Sequence, residues 1–380
     1  MLLIASYKVL KMKFTCQKNE MVQAIQIISK ATPNNPQNPI LSGFYLETQN
    51  NKIELRATDN EIGIITDIPA EIEEPGNVIL SGKTLQEIIR SLPGENLTIT
   101  FDEEKKIANI RSGSTNFDLI SMNGQFSSVR MTDPLINFKM KDTLLKGLIK
   151  KTVFACSTDE KRPIFTGCLL EIKDEEITMA ATNTHRLSVK NAVLPEFKGS
   201  RRMIIPSKIL NELLRTLNSD IPEDIDIACS DTRISFSFGN IYMISRLIEG
   251  QFPDCNRVIP ADFKTRVTLK TADFMGAVER ISLIARHDDY KVMRFEFSSG
   301  QVRISSNNQN IGYAEETVPA VIDGEDVNIS FNFTYLLDVL KNIDTEEIYF
   351  SLNEKLSPAA VREPGNESFI YIITPVRTSH

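Results

Sequence analysis

The chain has 380 residues, 41% hydrophobic and 24% charged, with a formal net charge of −7. This length exceeds what one hydrophobic core usually serves, so we expect two or three domains. No run approaches the ~18 apolar residues of a membrane span, which argues against a membrane protein. The acidic balance argues against a protein that coats nucleic acid with its whole surface, although a local basic face is compatible with it.

The chain begins with an apolar stretch that has neither the leading charge nor the cleavage site of a signal peptide. We therefore expect residues 1–11 to be a loose N-terminal extension, with patterned sequence from Met12 onward. Five cysteines are scattered without any C-x-x-C spacing, and no histidine lies at metal-ligand spacing. They are predicted to be buried or incidental thiols in a reducing cytoplasm, and no metal or cofactor is predicted.

An internal repeat with a long period is the strongest feature of the sequence. ILSGFYLE at residues 40–47 with KIELRATD at 52–59 returns as IFTGCLLE at 164–171 with EITMAATN at 176–183, and a weaker copy covers 292–307. Thr58, Thr182 and Ser306 hold matching places 124 residues apart (182 − 58 and 306 − 182). The constant interval predicts three similar domains. With boundaries where Pro and Asp interrupt the pattern, we place these domains at residues 12–134, 135–261 and 262–380.

Each domain is predicted to run helix, strands, helix, strands, which is an α+β arrangement. Apolar residues three and four apart predict first helices at residues 20–30, 143–155 and 272–286. Second helices follow a short strand in each domain, with Ser81, Ser207 and Asn332 at their N-caps. Alternating residues predict half-buried strands at 97–101 and 234–238.

Motifs of catalysis are not found. Gly82-Lys83-Thr84 resembles the end of a phosphate-binding loop, but the first glycine of that motif would have to replace Asn77. A strand-to-helix turn is the preferred interpretation. His185 has no nucleophile motif to serve, and the carboxylates form no recognisable acid/base pair. The sequence therefore predicts a protein that is not an enzyme.

Two features favour binding. Lysine and arginine recur on the helices of all three domains, opposite the apolar stripes: Lys83 and Arg90 in the first, Lys146, Lys150 and Arg215 in the second, and Arg280 and Lys341 in the third. On a single helix a solubilising polar face is the simpler interpretation, but the recurrence favours a shared basic surface. The apolar C-terminus at residues 370–377 is typical of a docked edge strand and, less often, of a ligand groove.

Several segments, in order along the chain, resemble the bacterial DNA polymerase III beta subunits, the family of beta sliding clamps. They are ATNTHRL at 181–187, GQFPD at 250–254, RVIP at 257–260, FNFTYLLDVL at 331–340 and TPVR at 374–377. The resemblance extends over residues 12–377. It implies three clamp domains, each with helices packed on antiparallel sheets, which close into a head-to-tail dimeric ring with the helices around the hole. Such a ring encircles duplex DNA without sequence specificity and confers processivity on the replicative polymerase.

The resemblance also carries contact residues onto this chain. The ring contact, between domain one and domain three of the partner, is implied for Lys83, Leu85, Ile88, Phe117, Leu119, Leu283 and Ile284. DNA contacts are expected from the basic helix faces and by similarity at Lys146, Lys150, Lys161, Arg162, Lys208 and Arg215. The loop at residues 33–36 lacks the arginine that clamps often have there, which argues against a DNA contact at that loop.

The family's second site is a hydrophobic cleft between domains two and three that binds short linear peptides. Matching positions in this chain are Phe165, Thr182, Thr184, His185, Arg186, Leu187, Pro253, Arg257, Val258, Asn332, Tyr335, Leu356, Pro358, Ile372, Ile373, Thr374, Pro375, Val376 and Arg377. At three positions the chain departs from the family: Phe165 replaces a usual Leu, Pro358 a usual Ser, and Thr374 a usual Met. Because methionine adapts its shape, we expect a narrower peptide preference here. An ordinary interdomain core remains the alternative for the apolar members.

The resemblance implies duplex DNA and a second copy of the chain as partners. It also implies that the polymerase catalytic subunit, clamp loader, repair polymerases, mismatch repair proteins and DNA ligase bind through short peptides. No membrane partner is expected, and the predicted location is cytoplasmic. Two other functions stay open. One is an adaptor of similar fold that does not encircle DNA, and the other is a nucleotide-using enzyme, suggested by residues 82–84.

Overall fold

The computed structural model describes residues 11–33, 36–127, 129–195, 197–217 and 223–377. Residues 1–10 of the predicted extension lie outside the described residues, and Lys11 is the first residue of the first strand. The two asparagines of the loop at 33–36 also lie outside them. The chain divides into two compact units. Of the described residues, the first unit comprises those within 11–141 and 223–247, and the second comprises those within 142–217 and 248–377.

The helices and strands alternate in the order that the repeat predicts. The helices are α1 (Lys18–Ile28), α2 (Gly82–Ser91), α3 (Asp142–Thr152), α4 (Ser207–Thr216), α5 (Thr271–Ala285) and α6 (Phe333–Leu340). The strands are β1 (Lys11–Gln17), β2 (Gly43–Gln49), β3 (Lys52–Thr58), β4 (Ile62–Pro69), β5 (Glu71–Glu74), β6 (Asn77–Ser81), β7 (Asn96–Asp102), β8 (Ile107–Ser112), β9 (Thr115–Ile120), β10 (Ile136–Lys141), β11 (Gly167–Lys173), β12 (Glu176–Thr182), β13 (Arg186–Val193), β14 (Ser200–Pro206), β15 (Asp224–Cys229), β16 (Arg233–Phe238), β17 (Ile241–Arg246), β18 (Thr265–Lys270), β19 (Val292–Ser298), β20 (Gln301–Asn308), β21 (Gly312–Pro319), β22 (Val321–Asp323), β23 (Val327–Asn332), β24 (Glu347–Leu352), β25 (Ala359–Arg362) and β26 (Phe369–Ile373).

The first unit holds a five-stranded sheet, in the order β5-β1-β7-β8-β9, and an eight-stranded sheet, in the order β10-β15-β16-β17-β4-β3-β2-β6. Helix α1 packs on β4 and β3 and against α2. Its buried residues Met21, Ala24, Ile25 and Ile28 follow the spacing of one helix face, so burial of that stripe holds the helix on the sheet.

The second unit holds a nine-stranded sheet, in the order β14-β11-β12-β13-β26-β25-β24-β18-β22, and a four-stranded sheet, in the order β21-β20-β19-β23. A cluster of phenylalanines forms the core between them and helices α5 and α6. In that cluster Phe295 lies 6.0 Å from Phe274 and 5.8 Å from Phe331, measured between ring centroids.

The two larger sheets share one strand order. In the first unit β4 pairs with β17, and in the second unit β13 pairs with β26, with equivalent neighbours on both sides. Each pairing joins a strand of one repeat to a strand of the next through backbone hydrogen bonds. Each large sheet is therefore shared between consecutive repeats.

The predicted first helices are confirmed as α1, α3 and α5, although the last predicted turns of α1 and α3 are 3-10 helix. Asn332 caps α6, because its side chain accepts a hydrogen bond from the Thr334 backbone N–H over 2.9 Å. Ser81 is the N-cap of α2, but its hydroxyl bonds the Thr84 side chain instead of the backbone. The prediction for Ser207 is wrong: α4 begins at that residue, and Pro206 is its N-cap.

The strand predicted at 97–101 is confirmed within β7, with alternating burial. The strand at 234–238 is confirmed within β16, but its alternation is not, because Ser235 is buried as well as Phe236. Ser235 pairs with Ile244, which packs against Val129 on that face of the sheet. Among the residues described, no helix combines the length and the apolar character needed to span a bilayer.

Candidate functional site

An apolar groove with a volume of about 570 Å³ opens beside strand β13 in the second unit. Its walls come from the turn before β11, the turn between β12 and β13, the segment 252–260, and strands β25 and β26 with the residues next to them. The lining residues are Phe165, Thr182, Thr184, Arg186, Leu187, Phe252, Pro253, Asp254, Cys255, Arg257, Val258, Ile259, Pro260, Pro358, Ile372 and Thr374. Apolar walls with a few placed polar groups are typical of a site for a small ligand or a peptide.

The turn between β12 and β13 is held by its own side chains. The Thr182 hydroxyl donates to the Arg186 carbonyl over 2.6 Å and accepts from the Thr184 N–H over 3.1 Å. The Asn183 side chain accepts from the N–H groups of His185 and Arg186. Thr184 lies at φ 77°, in the left-handed region. The turn therefore presents a threonine to the groove in a conformation that favours glycine.

Strand β26 continues into a tail that is fixed to this turn. The Thr374 N–H and hydroxyl both donate to the His185 carbonyl over 2.9 Å. Leu187 pairs with Ile372 across β13 and β26, and both residues are buried in one apolar cluster. One wall of the groove is thus built from two repeats joined by backbone pairing.

Arg186 is a buried cation in the groove wall. Its guanidinium donates to the Asp338 carboxylate and to the Phe154 carbonyl, and it lies 4.6 Å from the centroid of the Tyr335 ring. Burial alone would lower the pKa of this guanidinium, but Tyr371 and Asp338 together raise it, so the charge is retained. Its Nε has no hydrogen-bond partner among the described residues, which leaves one buried donor unsatisfied at the groove.

An aromatic pair and a thiol complete the opposite wall. Phe165 and Phe252 meet edge to face, with centroids 6.3 Å apart. Burial raises the pKa of the Cys255 thiol to about 11, so this group is neutral at ordinary pH. All five cysteines are free thiols.

Some predicted peptide-binding positions lie in the groove and others do not. The predicted residues that line it are Phe165, Thr182, Thr184, Arg186, Leu187, Pro253, Arg257, Val258, Pro358, Ile372 and Thr374. The predicted residues outside its lining are His185, Asn332, Tyr335, Leu356, Ile373, Pro375, Val376 and Arg377. Sequence reasoning missed Phe252, Asp254, Cys255, Ile259 and Pro260, although all but Cys255 lie within the motifs at residues 250–254 and 257–260.

The predicted residues outside the lining have other contacts. His185 is exposed and stacks on Tyr335, with ring centroids 6.3 Å apart. Ile373 is fully buried in the core. Val376 donates its N–H to the Ser330 carbonyl, and with Arg377 it lines a polar cavity of about 940 Å³ over the four-stranded sheet.

The predicted DNA-contacting residues lie on α3, on α4 and in the loop between α3 and β11, all within the second unit, where α3 and α4 pack together. Most of these cations are paired with acids. Lys150 lies 2.6 Å from Asp344, Lys146 3.5 Å from Asp142, Arg162 3.3 Å from Asp159 and Arg215 2.7 Å from Glu212. Lys161 is exposed, and Lys208 lies in the first turn of α4. Paired cations weaken the field of this surface without removing it.

The predicted ring-contact residues divide between the two units. In the first unit Lys83 and Ile88 lie on α2, and Phe117 and Leu119 lie on β9. Leu85 is a correction, because it is fully buried in the core and has no side-chain surface to offer a partner. In the second unit Leu283 is 55% exposed and Ile284 is partly buried.

Two exposed apolar residues that sequence reasoning missed lie on edge strands. Ile120, on β9 at one edge of the five-stranded sheet, is 75% exposed, and Tyr313, on β21 at one edge of the four-stranded sheet, is 55% exposed. Within the described ranges, no group of three or more His, Cys, Asp or Glu side chains could hold a metal ion.

Comparisons with known proteins agree over nearly the whole chain. Family models match in chain order: the DNA polymerase III beta subunit N-terminal domain at residues 12–125, the central domain at 139–254 and the C-terminal domain at 256–377. The beta sliding clamp of Bacillus subtilis is 34% identical over 380 residues, which cover 97% of this chain and 100% of that protein. The beta sliding clamp of Staphylococcus aureus is 32% identical over 379 residues, with the same coverage.

Solved structures agree with the sequence comparisons. The crystal structure of the Bacillus subtilis DNA polymerase sliding clamp matches with a TM-score of 0.91 at 33% identity, covering 97% of this chain and 99% of that one. A sliding clamp from Bartonella birtlesii, solved bound to griselimycin, matches with a TM-score of 0.92 at 29% identity, covering 97% and 100%. The chain therefore belongs to the DNA polymerase III beta subunit family, the beta sliding clamps, whose members are processivity factors and not enzymes.

Proposed function

We propose that two copies of this chain close head to tail around duplex DNA and hold replication enzymes there through short peptides bound in the groove. The observation that carries the proposal is the groove itself, with apolar walls and a fixed arginine, in a chain that belongs to the clamp family over its whole length. In this function the protein adds no chemical step and acts by keeping a polymerase beside its template.

The chemistry of the groove suits a short peptide with apolar anchor side chains. Burial of one or two such side chains against Leu187, Val258 and Ile372 supplies affinity, and polar groups at the rim of the groove, such as the Thr184 hydroxyl, can bond the peptide backbone. Relatives from Bartonella birtlesii and Pseudomonas aeruginosa were solved bound to griselimycin, which supports a ligand site in this family.

Peptide binding is tested with a fluorescent peptide that carries two adjacent apolar side chains, competed by griselimycin. Val258→Asp puts a carboxylate into the apolar wall, so we expect it to weaken binding at least ten-fold, on the order of 1.4 kcal/mol. Val193→Asp is the matched control, since Val193 is similarly exposed on β13 but does not line the groove. Equal losses in the two variants, or no binding by the wild type, would contradict the proposal.

The proposed ring contact joins the free edge of β9 in one chain to the free edge of β21 in its partner. Both strands end their sheets within the described residues and carry exposed apolar side chains. Pairing them extends the sheet and removes two edges that would otherwise promote aggregation. Beside this seam, Lys83, Ile88, Phe117 and Leu119 of one chain would meet Leu283 and Ile284 of the other. A heterologous contact of this kind gives a ring when it closes.

The decisive experiment measures retention on DNA. Protein loaded on nicked circular DNA should stay bound through gel filtration and leave when the circle is cut. Leu283→Lys buries a charge in the proposed seam and should give monomers in sedimentation analysis, whereas Lys341→Gln, on the exposed surface, should not. A wild-type chain that stays monomeric at micromolar concentration, or leaves circles as fast as fragments, would favour the adaptor alternative.

The proposed DNA contacts are Lys146, Lys150, Lys161, Arg162, Lys208 and Arg215. Contacts with phosphates carry no sequence information, and pairing with nearby acids weakens those of Lys146, Lys150, Arg162 and Arg215, which suits a ring that must slide. The domain limits 12–134, 135–261 and 262–380 remain part of the proposal, as do the individual replication and repair partners. A protein that encircles the chromosome of a bacterium would act in the cytoplasm.

Equilibrium dialysis that shows ATP binding would support the nucleotide-using alternative.

A further inference from the structure

A second cavity occupies, in the eight-stranded sheet, the place that the groove occupies in the nine-stranded sheet. The turn between β3 and β4 has the same internal bonds as the turn between β12 and β13. The Thr58 hydroxyl donates to the Ile62 carbonyl over 2.7 Å and accepts from the Asn60 N–H over 3.0 Å, as Thr182 does with its own turn. Asn60, at φ 74°, corresponds to Thr184. The first unit therefore contains a counterpart of the groove.

The counterpart is smaller because a side chain fills part of it. Val129 lies over Gly63, and a Cβ placed on that glycine would be only 2.2 Å from the valine Cγ1. Gly63 stands where the groove has Leu187. The remaining cavity has a volume of about 140 Å³, against about 570 Å³ for the groove. It can hold a small polar group but not a large apolar side chain.

Two arginines line this cavity from adjacent strands. Arg233 on β16 lies directly opposite Arg246 on β17. In the nine-stranded sheet, the positions equivalent to Arg233 and Arg246 are Pro358, directly before β25, and Thr374, directly after β26. These two residues are next to the paired residues Ala359 and Ile373. Within the part of the chain that the structure describes, neither guanidinium has an ion pair or a side-chain hydrogen bond. The change from the groove to its counterpart is thus a change from apolar lining to paired positive charge.

Like charges directly opposite each other on neighbouring strands are unfavourable unless an anion lies between them. Glu61 also lines the cavity, but within the described residues it forms no ion pair with either arginine. Arginine forks bind carboxylates in a bidentate manner, and the cavity has room for one carboxylate. Both arginines belong to a sheet and not to the helices expected to face DNA.

We propose that this cavity binds the carboxylate of an acidic peptide segment on a partner protein, between Arg233 and Arg246. Its position, equivalent to that of the groove, makes it a second docking point with opposite chemistry, for acidic instead of apolar side chains. The inference goes beyond the proposed peptide groove and would stand if that groove bound nothing.

The test uses the full-length protein and a fluorescent pentapeptide with two aspartates, compared with the same peptide carrying two asparagines. The double variant Arg233→Gln/Arg246→Gln should weaken binding of the aspartate peptide by about ten-fold or more. Glu61→Gln removes a competing carboxylate and should tighten it by about two-fold. Lys173→Gln is the matched control, because it removes an exposed positive charge from the nine-stranded sheet, and it should leave binding unchanged.

Four results would overturn the proposal. The first is equal binding of the two peptides, and the second is unchanged binding by the double variant. The third is displacement by inorganic phosphate with an affinity equal to that of the peptide, because the cavity would then be a site for a free ion. The fourth is loss of retention on circular DNA by the double variant with peptide binding intact, which would assign the arginines to DNA.

Discussion

Thr184 carries strain at the rim of the groove. Its φ of 77° is uncommon for any residue with a side chain and more costly for a β-branched one. Thr184→Gly should therefore raise the free energy of unfolding by about 1 kcal/mol, the relief of strain exceeding the added flexibility of the unfolded chain. Urea denaturation measures the change.

Asn60 provides the control for this prediction, because it has nearly the same φ in the corresponding turn. Asparagine tolerates the left-handed region, so Asn60→Gly should change stability by less than about 0.5 kcal/mol. If both variants gain equally, the strain does not come from the branched side chain.

Cys255 should react slowly because burial raises the pKa of its thiol to about 11. Only the thiolate attacks an alkylating reagent, so the rate of its modification by iodoacetamide should rise about ten-fold per pH unit from pH 8 toward pH 11. Site-resolved mass spectrometry follows the reaction. In urea the rate should level off near a pH of about 8.5, the ordinary thiol pKa. A folded-state rate that levels off equally early would refute the prediction.

Individual contact residues were harder to predict than the regions that contain them. The motifs at residues 250–254 and 257–260 supplied predicted groove positions, but Phe252 and Cys255 were missed, because a segment without periodic structure gives no indication of which side chains point inward. Leu85 illustrates the opposite error. Leu85 lies one helical turn before Ile89, and both are buried on one face of α2, a spacing that is typical of core residues.

At the scale of elements, a buried ion pair between Lys151 and Glu363 joins helix α3 to the residue that directly follows β25. Lys151 bonds the carboxylate of Glu363 and the carbonyl of Asn342, and both partners in the ion pair are nearly inaccessible. Lys151→Met leaves a buried carboxylate without its cation, so we expect a loss of about 3 kcal/mol in the free energy of unfolding. The preceding residue, Lys150, pairs with Asp344 at the surface, and Lys150→Met should cost less than about 1 kcal/mol. Similar losses in the two variants would contradict this account.

The same pair should make stability depend on pH. Burial alone would raise the pKa of Glu363, but Lys151 and Asn366 bond its carboxylate and hold the pKa below its ordinary value. A depressed carboxyl pKa contributes stability above the unfolded pKa of about 4.3, and that contribution is lost as the pH falls through the folded pKa. The difference in stability between wild type and Glu363→Gln should therefore be full at pH 7 and narrow below pH 4.3. Thermal unfolding across this range tests it, and a constant difference would count against it.

Helices and strands were predictable because their apolar spacing is local. The three first helices differ from the predicted ranges by no more than a few residues at either end. Features that depend on distant packing were not predictable. Ser235 lies opposite Ile244, on which Val129 packs from a distant part of the sequence. Pro206 is both the last residue of a strand that pairs with β11 and the N-cap of α4.

At the scale of the whole molecule, the proposed ring predicts how retention on DNA depends on salt. Binding through phosphate contacts weakens steeply as salt rises, whereas a closed ring on a circle is held by topology. The lifetime on nicked circles should change little between 50 and 500 mM salt, on the order of two-fold, while binding to linear fragments becomes undetectable. A steep fall on circles would mean that attraction, and not enclosure, retains the protein.

Because each large sheet is shared between consecutive repeats, a ring of these chains can open only at particular contacts. Residues 62–66 pair with 241–245, and residues 186–190 pair with 369–373. Both joints between repeats within a chain are therefore held by backbone hydrogen bonds over five residue pairs. A protein that opens the ring so that DNA can enter would have to separate the contact between the two chains. Separating two repeats within one chain would instead break the backbone hydrogen bonds of a continuous sheet.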